Sequence, residues 1–323
     1  MARILTGIQS TGAPHLGNLL GAIRPAIDLA HQEDNESFLF IADMHSLTQI
    51  KGGSELRENT YAVAAAWMAF GLDTSRTVFY RQSDVAEVTE LAWYLNCFFP
   101  YQRLTLAHSF KDKSDRLEDV NSGLFSYPML MAADILLYDA DYVPVGKDQL
   151  QHLEMTRDVA SRFNHKMGET FVVPKELVQQ ETQLIPGVDG EKMSKSKGNT
   201  LNIFDAPNAL KKHINKNIVT DATPLEDSKD PNGSVVWELY KLVASESDAT
   251  DMAAKLRAGG YGWGHAKKDL LDALVDGFAK ERDEFNRLMN DRAMLDAELS
   301  KGAERARSLA QPVLQRVRSK IGF

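Results

Sequence analysis

The chain has 323 residues, a hydrophobic fraction of 43% and a formal net charge of −8. This length and composition predict a globular protein with a sizeable core, divided into two units. The negative charge argues against DNA binding or general nucleic-acid binding, which favours a basic surface. No apolar run approaches the roughly 18 residues that a membrane helix needs, and no signal-peptide pattern is present. We therefore expect a cytoplasmic protein without membrane contact.

The single cysteine, Cys97, excludes an internal disulfide and any metal site built from several cysteines. We expect it to be a small buried hydrophobic residue. The sequence predicts no bound metal of its own.

Strand-like and helical segments alternate through the first two thirds of the chain. The predicted strands lie at 2–8, 37–43, 77–81 and 142–146. Helices are predicted from residue 14, with Pro25 as a kink, over 56–70 and 127–138, and from 147 to about 163, and an irregular, mobile loop is predicted over 101–126. This alternation predicts a parallel sheet with crossover helices, in which ligands bind at the carboxyl ends of the strands.

From about residue 204 the pattern becomes helical only. Helices are predicted over 234–246, 269–290 and about 292–320, with polar links at 221–233 and 257–268. One apolar stripe in the second helix is assigned to the core, namely Leu271, Leu274, Val275, Phe278, Phe285, Leu288 and Met289. The predicted fold class is α/β, with a Rossmann-like parallel-sheet domain at 1–203 followed by an all-helical domain at 204–323.

A basic loop lies near the end of the first domain. Lys192-Met193-Ser194-Lys195-Ser196 follows a glycine-rich approach at 186–190 and precedes a second loose run at 197–199. Two ammonium groups and two hydroxyls on a flexible loop can bind the oxygens of a polyphosphate. The alternative is an ordinary solvated basic loop.

A second candidate phosphate site follows the first strand. A glycine-rich turn there leads into a helix that starts near His15, and a strand, a glycine-rich turn and a helix N-terminus together suit a phosphate. His15 and Asn18 are alternatively helix caps. Asp43 and His45 follow the second predicted strand, where they either line the ligand crevice or bond local backbone in a turn.

One carboxylate, Asp134, interrupts a nearly apolar helix and shares a helical face with Tyr127 and Met131. An ionised carboxylate in this setting needs a specific hydrogen-bond donor, either a ligand N–H or an arginine. Downstream, Asp148 and Gln149 lie between a buried strand and the next helix, in a position that suits the hydroxyls of a ribose.

The two phosphate-binding segments resemble the signature motifs of class I aminoacyl-tRNA synthetases. Lys192 to Ser196 spells KMSKS letter for letter, and residues 15–18 resemble HIGH with Asn in the last place. Residues 4–24, 124–138 and 143–162 also resemble blocks of the bacterial tryptophanyl-tRNA synthetase family, so that the likeness covers nearly the whole chain. The resemblance implies a tryptophan–tRNA ligase that activates L-tryptophan with ATP and transfers it to tRNA(Trp).

Carried over residue by residue, the resemblance implies three groups of site residues. The catalytic group is His15, Asn18, Lys192, Lys195 and Lys113. The ATP-binding group is Gln9, Gly17, Asn18, Gly146, Lys147, Asp148, Ile185, Lys192, Met193, Ser194, Lys195 and Ser196. The tryptophan-binding group is Asp134, as acceptor of the indole N–H, with Leu5, His45, Tyr127, Met131 and Gln149.

The resemblance further implies Mg²⁺ in the ATP substrate complex, a homodimer, and tRNA anticodon binding by residues 204–323. Some relatives hold an iron–sulfur cluster with four cysteines, which a chain with one cysteine cannot do. The chain departs from the family pattern at Ser10-Thr11, where Pro-Ser is usual, and at Leu5, where Phe is frequent. Lys147 replaces a frequent Glu and so reverses a charge beside the nucleotide.

Alternative functions remain open at this point. A tyrosyl-tRNA synthetase shares the fold and both motifs, but the apolar helix at 127–138 disfavours it. A non-catalytic synthetase-like tRNA-binding paralogue would be expected to have lost His15, Lys192 or Lys195, and all three are present. A small-molecule nucleotidylyltransferase would lack the helical second part.

Overall fold

The structure, a computed structural model, describes residues 1–107, 120–146, 149–178 and 185–323. Five strands of this part of the chain form one parallel sheet in the order β3-β2-β1-β4-β5. Their bounds are β1 Ala2–Ile8, β2 Asn35–Ile41, β3 Val78–Arg81, β4 Tyr142–Val145 and β5 Lys175–Val178. The predicted α/β class is confirmed. The sequence did not reveal β5, because it is an edge strand whose first two residues are exposed and charged.

Helices connect the strands. Their bounds are Leu16–Asn18, Arg24–Ala30, Asp43–Ser46, Gly53–Ala69, Glu87–Phe98, Tyr101–Leu104, Ser122–Leu136 and Leu150–Met167, with a π-helical turn at Leu19–Ile23 and 3-10 turns at Gln82–Asp84 and Lys195–Lys197. Pro25 lies in the first turn of a segment that follows the π-helical turn. The stretch predicted as a loop contains one short helix and the start of another, and its residues 108–119 lie outside the described part of the chain.

Both faces of the sheet are buried. Alternate side chains of β2 point to opposite faces, as the two-residue period of a strand requires. Leu39 and Ile41 join a core that includes the helix Gly53–Ala69, whereas Phe38 and Phe40 join a second core that includes the helix Ser122–Leu136. This double burial explains why the strands are continuous apolar runs in the sequence.

Residues beyond 204 form helices that share a core with the sheet. These helices are Pro207–Asn217, Val235–Val243, Glu246–Ala258, Trp263–Gly277, Ala279–Asn290 and Arg292–Ile321. The single helix predicted over 269–290 is two helices that meet at Phe278, where the backbone leaves the helical region at φ −115° and ψ 22°. The link predicted at 257–268 was wrong at both ends, because helices occupy 257–258 and 263–268.

The C-terminal helix Arg292–Ile321 packs along β3 and the helix Glu87–Phe98. Gly302 permits this approach, since a Cβ there would lie 1.7 Å from the carbonyl oxygen of Phe79. Four arginines of the helix bond residues on and beside the sheet, namely Arg305 to the carbonyls of residues 74–77, Arg307 to Glu87, Arg316 to Asp139 and Arg318 to Glu90. These arginines therefore anchor the helix.

Cys97 is exposed and not buried as predicted. It lies one helical turn after Trp93, whose side chain is 69% exposed, and the chain continues to the exposed Tyr101 and Leu106. We call these four residues the Trp93 surface. The misassignment arose because the apolar residues of this helix occupy two faces, and only one of them packs on the core.

In the described ranges, none of the helices has the length and apolarity that crossing a membrane requires.

Candidate active site

The order of the strands locates the ligand crevice. β2 and β3 lie on one side of β1, and β4 and β5 lie on the other, so that the strand order reverses between β1 and β4. In sheets of this kind ligands bind at this point, at the carboxyl ends of the strands. His15 follows β1, His45 follows β2, and Gly146 follows β4. The fold therefore brings these predicted site residues to one edge of the sheet.

The two predicted phosphate-binding motifs touch each other. The Lys195 amine donates to the carbonyl oxygen of Gly12 at 2.7 Å, across 183 residues of sequence. The backbone N–H of Gly17 donates to the Met193 sulfur at 3.2 Å. Gly12 has a φ of 132°, and a Cβ there would lie 3.2 Å from the Lys195 amine, so that glycine suits both the backbone and the space. The structure thus brings both motifs into one cleft.

His15 and Asn18 cap the helix that begins at Leu16. The Asn18 N–H donates to His15 Nδ1 at 3.2 Å, and the His15 N–H donates to Asn18 Oδ1 at 3.3 Å. Burial, followed by the charge of Lys195, lowers the pKa of His15 to about 4. The ring is therefore neutral at pH 7, and its proton lies on Nε2 because Nδ1 accepts. The capping interpretation is correct, and it leaves Nε2–H as a donor.

The lysines of the loop differ in their surroundings. Lys192 is exposed, whereas Lys195 is half-buried against Gly12. Burial lowers the pKa of the Lys195 amine to about 8. The hydroxyls of Ser194 and Ser196 lie 2.9 Å apart on the same loop. The loop therefore presents an exposed cation, Lys192, and a half-buried cation, Lys195, which loses its proton more readily.

Asn199 fixes the conformation of this loop. Its side chain is 3% exposed. Its amide nitrogen donates to the Asp189 carboxylate at 2.7 Å and to the Lys192 carbonyl at 3.2 Å, and its amide oxygen accepts from the Ser194 N–H at 2.7 Å. A Cβ on Gly187 would lie 2.4 Å from the Asn199 side chain. Sequence reasoning missed Asn199, because a single asparagine just after a motif carries no periodic signal.

Asp134 lies in a buried hydrogen-bond network with His45 and Gln82. The carboxylate is 2% exposed, and His45 Nε2 lies 2.9 Å from Asp134 Oδ2. The Gln82 amide nitrogen donates to both carboxylate oxygens at 2.9 Å. Burial raises the pKa of Asp134, and the hydrogen bonds from His45 and Gln82 oppose that change. The partners of Asp134 are therefore a histidine and an amide, and not the arginine of the alternative hypothesis.

Gln82 was not predicted as a site residue. It begins the 3-10 turn that follows β3. The carboxylate of Asp43 holds this turn, since it accepts hydrogen bonds from the N–H and the hydroxyl of Ser83. Burial raises the pKa of Asp43. The sequence does place Gln82 directly after a predicted strand. Only the pairing of β3 with β2, however, shows that Gln82 lies beside His45.

A second polar chain lies on the other side of His45. The Tyr127 hydroxyl is 2.6 Å from His152 Nε2, and His152 Nδ1 is 3.1 Å from the Gln149 amide oxygen. The rings of His45 and Tyr127 meet edge to face at a centroid distance of 6.0 Å. His152 is fully buried and was also missed by sequence reasoning. The predicted residues His45, Tyr127 and Gln149 thus belong to one connected network with Asp134.

The remaining predicted residues are distributed around the crevice. Leu5 is buried in the core below the carboxyl end of β1, and Met131 packs half-buried against the same core. Gln9 is half-buried, Gly146 is exposed, and the Ile185 carbonyl accepts from the Met193 N–H at 2.9 Å. Lys113, Lys147 and Asp148 lie outside the described residues.

Within the described part of the chain, no cluster of three or more His, Cys, Asp or Glu residues is arranged to hold a metal ion.

The sheet is parallel, and the start of its first helix contacts a loop with the sequence KMSKS. This combination defines a class I aminoacyl-tRNA synthetase. Residues 1–279 match the family described as tRNA synthetases class I (W and Y), and the chain belongs to this family. It is 47% identical over 321 residues to the tryptophan–tRNA ligase of Rhodopirellula baltica, with 99% of each chain covered. It is 44% identical over 322 residues to the tryptophan–tRNA ligase of Campylobacter jejuni strain RM1221, with coverage of 99% of this chain and 100% of the relative.

Solved structures support the same assignment. The crystal structure of Campylobacter jejuni tryptophanyl-tRNA synthetase complexed with ADP and tryptophan has a TM-score of 0.95 and 43% identity, and the alignment covers 99% of this chain and 100% of that one. A tyrosyl-tRNA synthetase from Archaeoglobus fulgidus has a TM-score of 0.65 and 21% identity, which shows the shared fold alone. The predicted resemblance to the tryptophanyl-tRNA synthetases is confirmed.

Proposed function

We infer that this chain attaches L-tryptophan to tRNA(Trp) in two steps, through tryptophanyl-adenylate formed from ATP. The observation that carries this inference is a buried carboxylate, Asp134, at the same sheet edge as two converging phosphate-binding motifs. Full-length relatives that are tryptophan–tRNA ligases support the choice of substrate. The tyrosyl-tRNA synthetase from Archaeoglobus fulgidus, at 21% identity, supports the fold alone.

In the first step the carboxylate of tryptophan would attack the α-phosphorus of ATP, and pyrophosphate would leave. No protein nucleophile is needed, so catalysis rests on alignment and on donors placed where negative charge grows. His15 Nε2–H, Asn18, Lys192 and Lys195 are the proposed donors, with Lys113 added by resemblance. Lys195 would exchange the Gly12 carbonyl for a phosphate oxygen, which is a better partner for an ammonium group.

The nucleotide would lie along the start of the first helix. By resemblance, Gly17 would let the adenine approach the backbone. A Cβ on Gly17 would also lie 3.0 Å from the His15 ring, so the position suits glycine. The remaining proposed ATP contacts rest on the family resemblance, namely Gln9, Gly146, Lys147, Asp148, Ile185, Met193, Ser194 and Ser196. Mg²⁺ would enter with ATP as part of the substrate, held by phosphate oxygens.

The proposed tryptophan pocket has a polar end and an apolar wall. Asp134 would accept the indole N–H, while Leu5 and Met131 would pack on the ring. Tyr127 and Gln149 would bind the amino-acid backbone. Phenylalanine would leave the buried carboxylate without its donor, and a site built for a hydrogen bond strongly rejects an analogue that lacks the donor.

Residues 204–323 are the proposed tRNA anticodon-binding domain. Lys211, Lys212 and Lys216 are exposed on the helix Pro207–Asn217 and form a basic cluster on a chain with a net charge of −8. A local cluster of this kind can contact RNA phosphates without making the whole surface basic. This assignment, like the domain boundary, rests on the family resemblance.

The Trp93 surface is the proposed contact between two copies of the chain. It exposes an indole, a phenol and an aliphatic side chain within residues 93–106, and aromatic side chains are enriched in the cores of subunit interfaces. We expect the wild-type chain to sediment as a dimer and Trp93→Asp to sediment as a monomer. Val219→Asp, at an exposed apolar position in the helical part, should leave the dimer intact. A monomeric wild-type chain, or a dimer that survives Trp93→Asp, would contradict this proposal.

The function itself is tested by ATP–pyrophosphate exchange with each standard amino acid in turn. We expect exchange with tryptophan and, relative to it, exchange with phenylalanine and tyrosine lowered by about 10³-fold or more. Exchange supported best by tyrosine would favour the tyrosyl alternative. No exchange with any amino acid would favour a non-catalytic paralogue.

The pKa values of His15 and Lys195 predict a pH profile. Lys195 carries its charge below its pKa of about 8 and loses it above, so kcat/KM for ATP should fall tenfold per pH unit above pH 8. His15, with a pKa of about 4, is neutral on both sides of pH 7 and should add no inflection between pH 6 and 7. Lys195→Arg should lower the rate but remove the alkaline limb, because a guanidinium stays charged. An alkaline limb that persists in Lys195→Arg would assign it to another group.

A further inference from the structure

We propose that Gln82 is a specificity-determining residue, which keeps Asp134 a pure hydrogen-bond acceptor and thereby selects a side chain that carries an N–H donor. This inference deepens the proposed function and rests on it, because it assumes that Asp134 meets the indole. Gln82 is 1% exposed and begins the 3-10 turn that follows β3, whereas Asp134 lies 52 residues later on the helix Ser122–Leu136.

The orientation of the Gln82 amide is fixed by its surroundings. The backbone N–H of His45 lies 3.3 Å from Gln82 Oε1, and a backbone N–H can only donate. The amide oxygen must therefore face His45, and the amide NH₂ group faces the two oxygens of Asp134 at 2.9 Å. Since His45 Nε2 also contacts Asp134 at 2.9 Å, the three residues form a closed ring of hydrogen bonds.

This ring favours the ionised state of the carboxylate. The amide NH₂ of Gln82 can only donate to Asp134, and an ionised carboxylate selects the His45 tautomer in which Nε2–H donates as well. The ionised form has roughly four lone-pair directions and no donor. Three hydrogen bonds from Gln82 and His45 leave one acceptor direction and nothing to donate. One acceptor matches one indole N–H.

The same state separates tryptophan from competitors. The indole nitrogen can only donate, whereas a phenol hydroxyl can also accept. A protonated Asp134 would offer a donor that tryptophan cannot use and that a hydroxyl can. Removing the Gln82 donors would therefore weaken the preference for an N–H and leave packing and shape to discriminate between substrates.

The turn that carries Gln82 is rigidly held. Asp43, at the end of β2, binds the N–H and the hydroxyl of Ser83, and Gln82 itself follows directly on β3. His45 supplies both its backbone N–H and its ring to the network. Adjacent strand ends thus place donor and acceptor without help from a mobile loop.

The test compares L-tryptophan with β-(3-benzothienyl)-L-alanine, in which sulfur replaces the indole N–H. In ATP–pyrophosphate exchange, the wild-type ratio of kcat/KM for tryptophan over this analogue measures the hydrogen bond. We expect Gln82→Met, which keeps the length and removes the donors, to lower this ratio at least tenfold. KM for ATP should stay unchanged. Gln49→Met, at an exposed position near the site, is the matched control and should keep the wild-type ratio.

A near-isosteric variant covers the case in which methionine disturbs folding. Gln82→Glu keeps the shape and places a second carboxyl group against Asp134, so the pair shares a proton and the ratio should fall in the same way. A wild-type ratio in either folded variant would overturn the proposal. If the wild-type chain shows no tryptophan-dependent exchange, the proposed function fails instead, and the two failures are thereby distinguished.

Discussion

The contact between the Lys195 amine and the Gly12 carbonyl joins the two halves of the site. It depends on glycine at position 12, because a side chain there would be strained at a φ of 132° and would crowd the lysine. It also depends on the loop that carries Lys195, which the buried Asn199 amide holds from three sides. A nucleotide in the crevice would displace a contact that already positions the cation, so little further ordering of the loop is needed.

Buried polar groups fix the other side chains of the site in the same way. Asp43 holds the turn of Gln82, Gln82 and His45 hold Asp134, and His152 links Tyr127 to Gln149. Each of these side chains would be costly to bury alone, and each has a partner at hydrogen-bond distance. The outer residues therefore restrict the rotamers of the residues that are proposed to touch tryptophan. Three of them, Tyr127, Met131 and Asp134, lie on the helix Ser122–Leu136 rather than on a loop.

The sequence predicted the sheet and both motifs because these depend on local signals. Continuous apolar runs mark strands buried on both faces, and the KMSKS letters are contiguous. Gln82, His152 and Asn199 could not be found in this way, since each acts through a partner that is distant in sequence or hidden in the fold. Cys97 was misassigned because periodicity does not tell which apolar face of a helix is covered. The split at Phe278 was missed because the apolar stripe continues across it.

The charges of the C-terminal helix show a similar limit. A run of arginines by itself suggests contact with solvent or with an anion, yet Arg305 bonds backbone carbonyls beside β3 and Arg318 bonds the carboxylate of Glu90. Gly302 permits the close approach of this helix to β3. Residues near the C-terminus thus help to hold β3, and Gln82 follows directly on the carboxyl end of this strand. The C-terminal helix therefore supports one side of the proposed amino-acid pocket.

The central claim is that His15 and Lys195 act on one nucleotide. A double-mutant cycle of His15→Ala and Lys195→Ala, measured as the single-turnover rate of tryptophanyl-adenylate formation, tests it most directly. Groups that act on the same charge are not independent, so the double variant should lose at least tenfold less than the product of the two single losses. Losses that multiply in full would show that the two side chains act separately and would contradict this account.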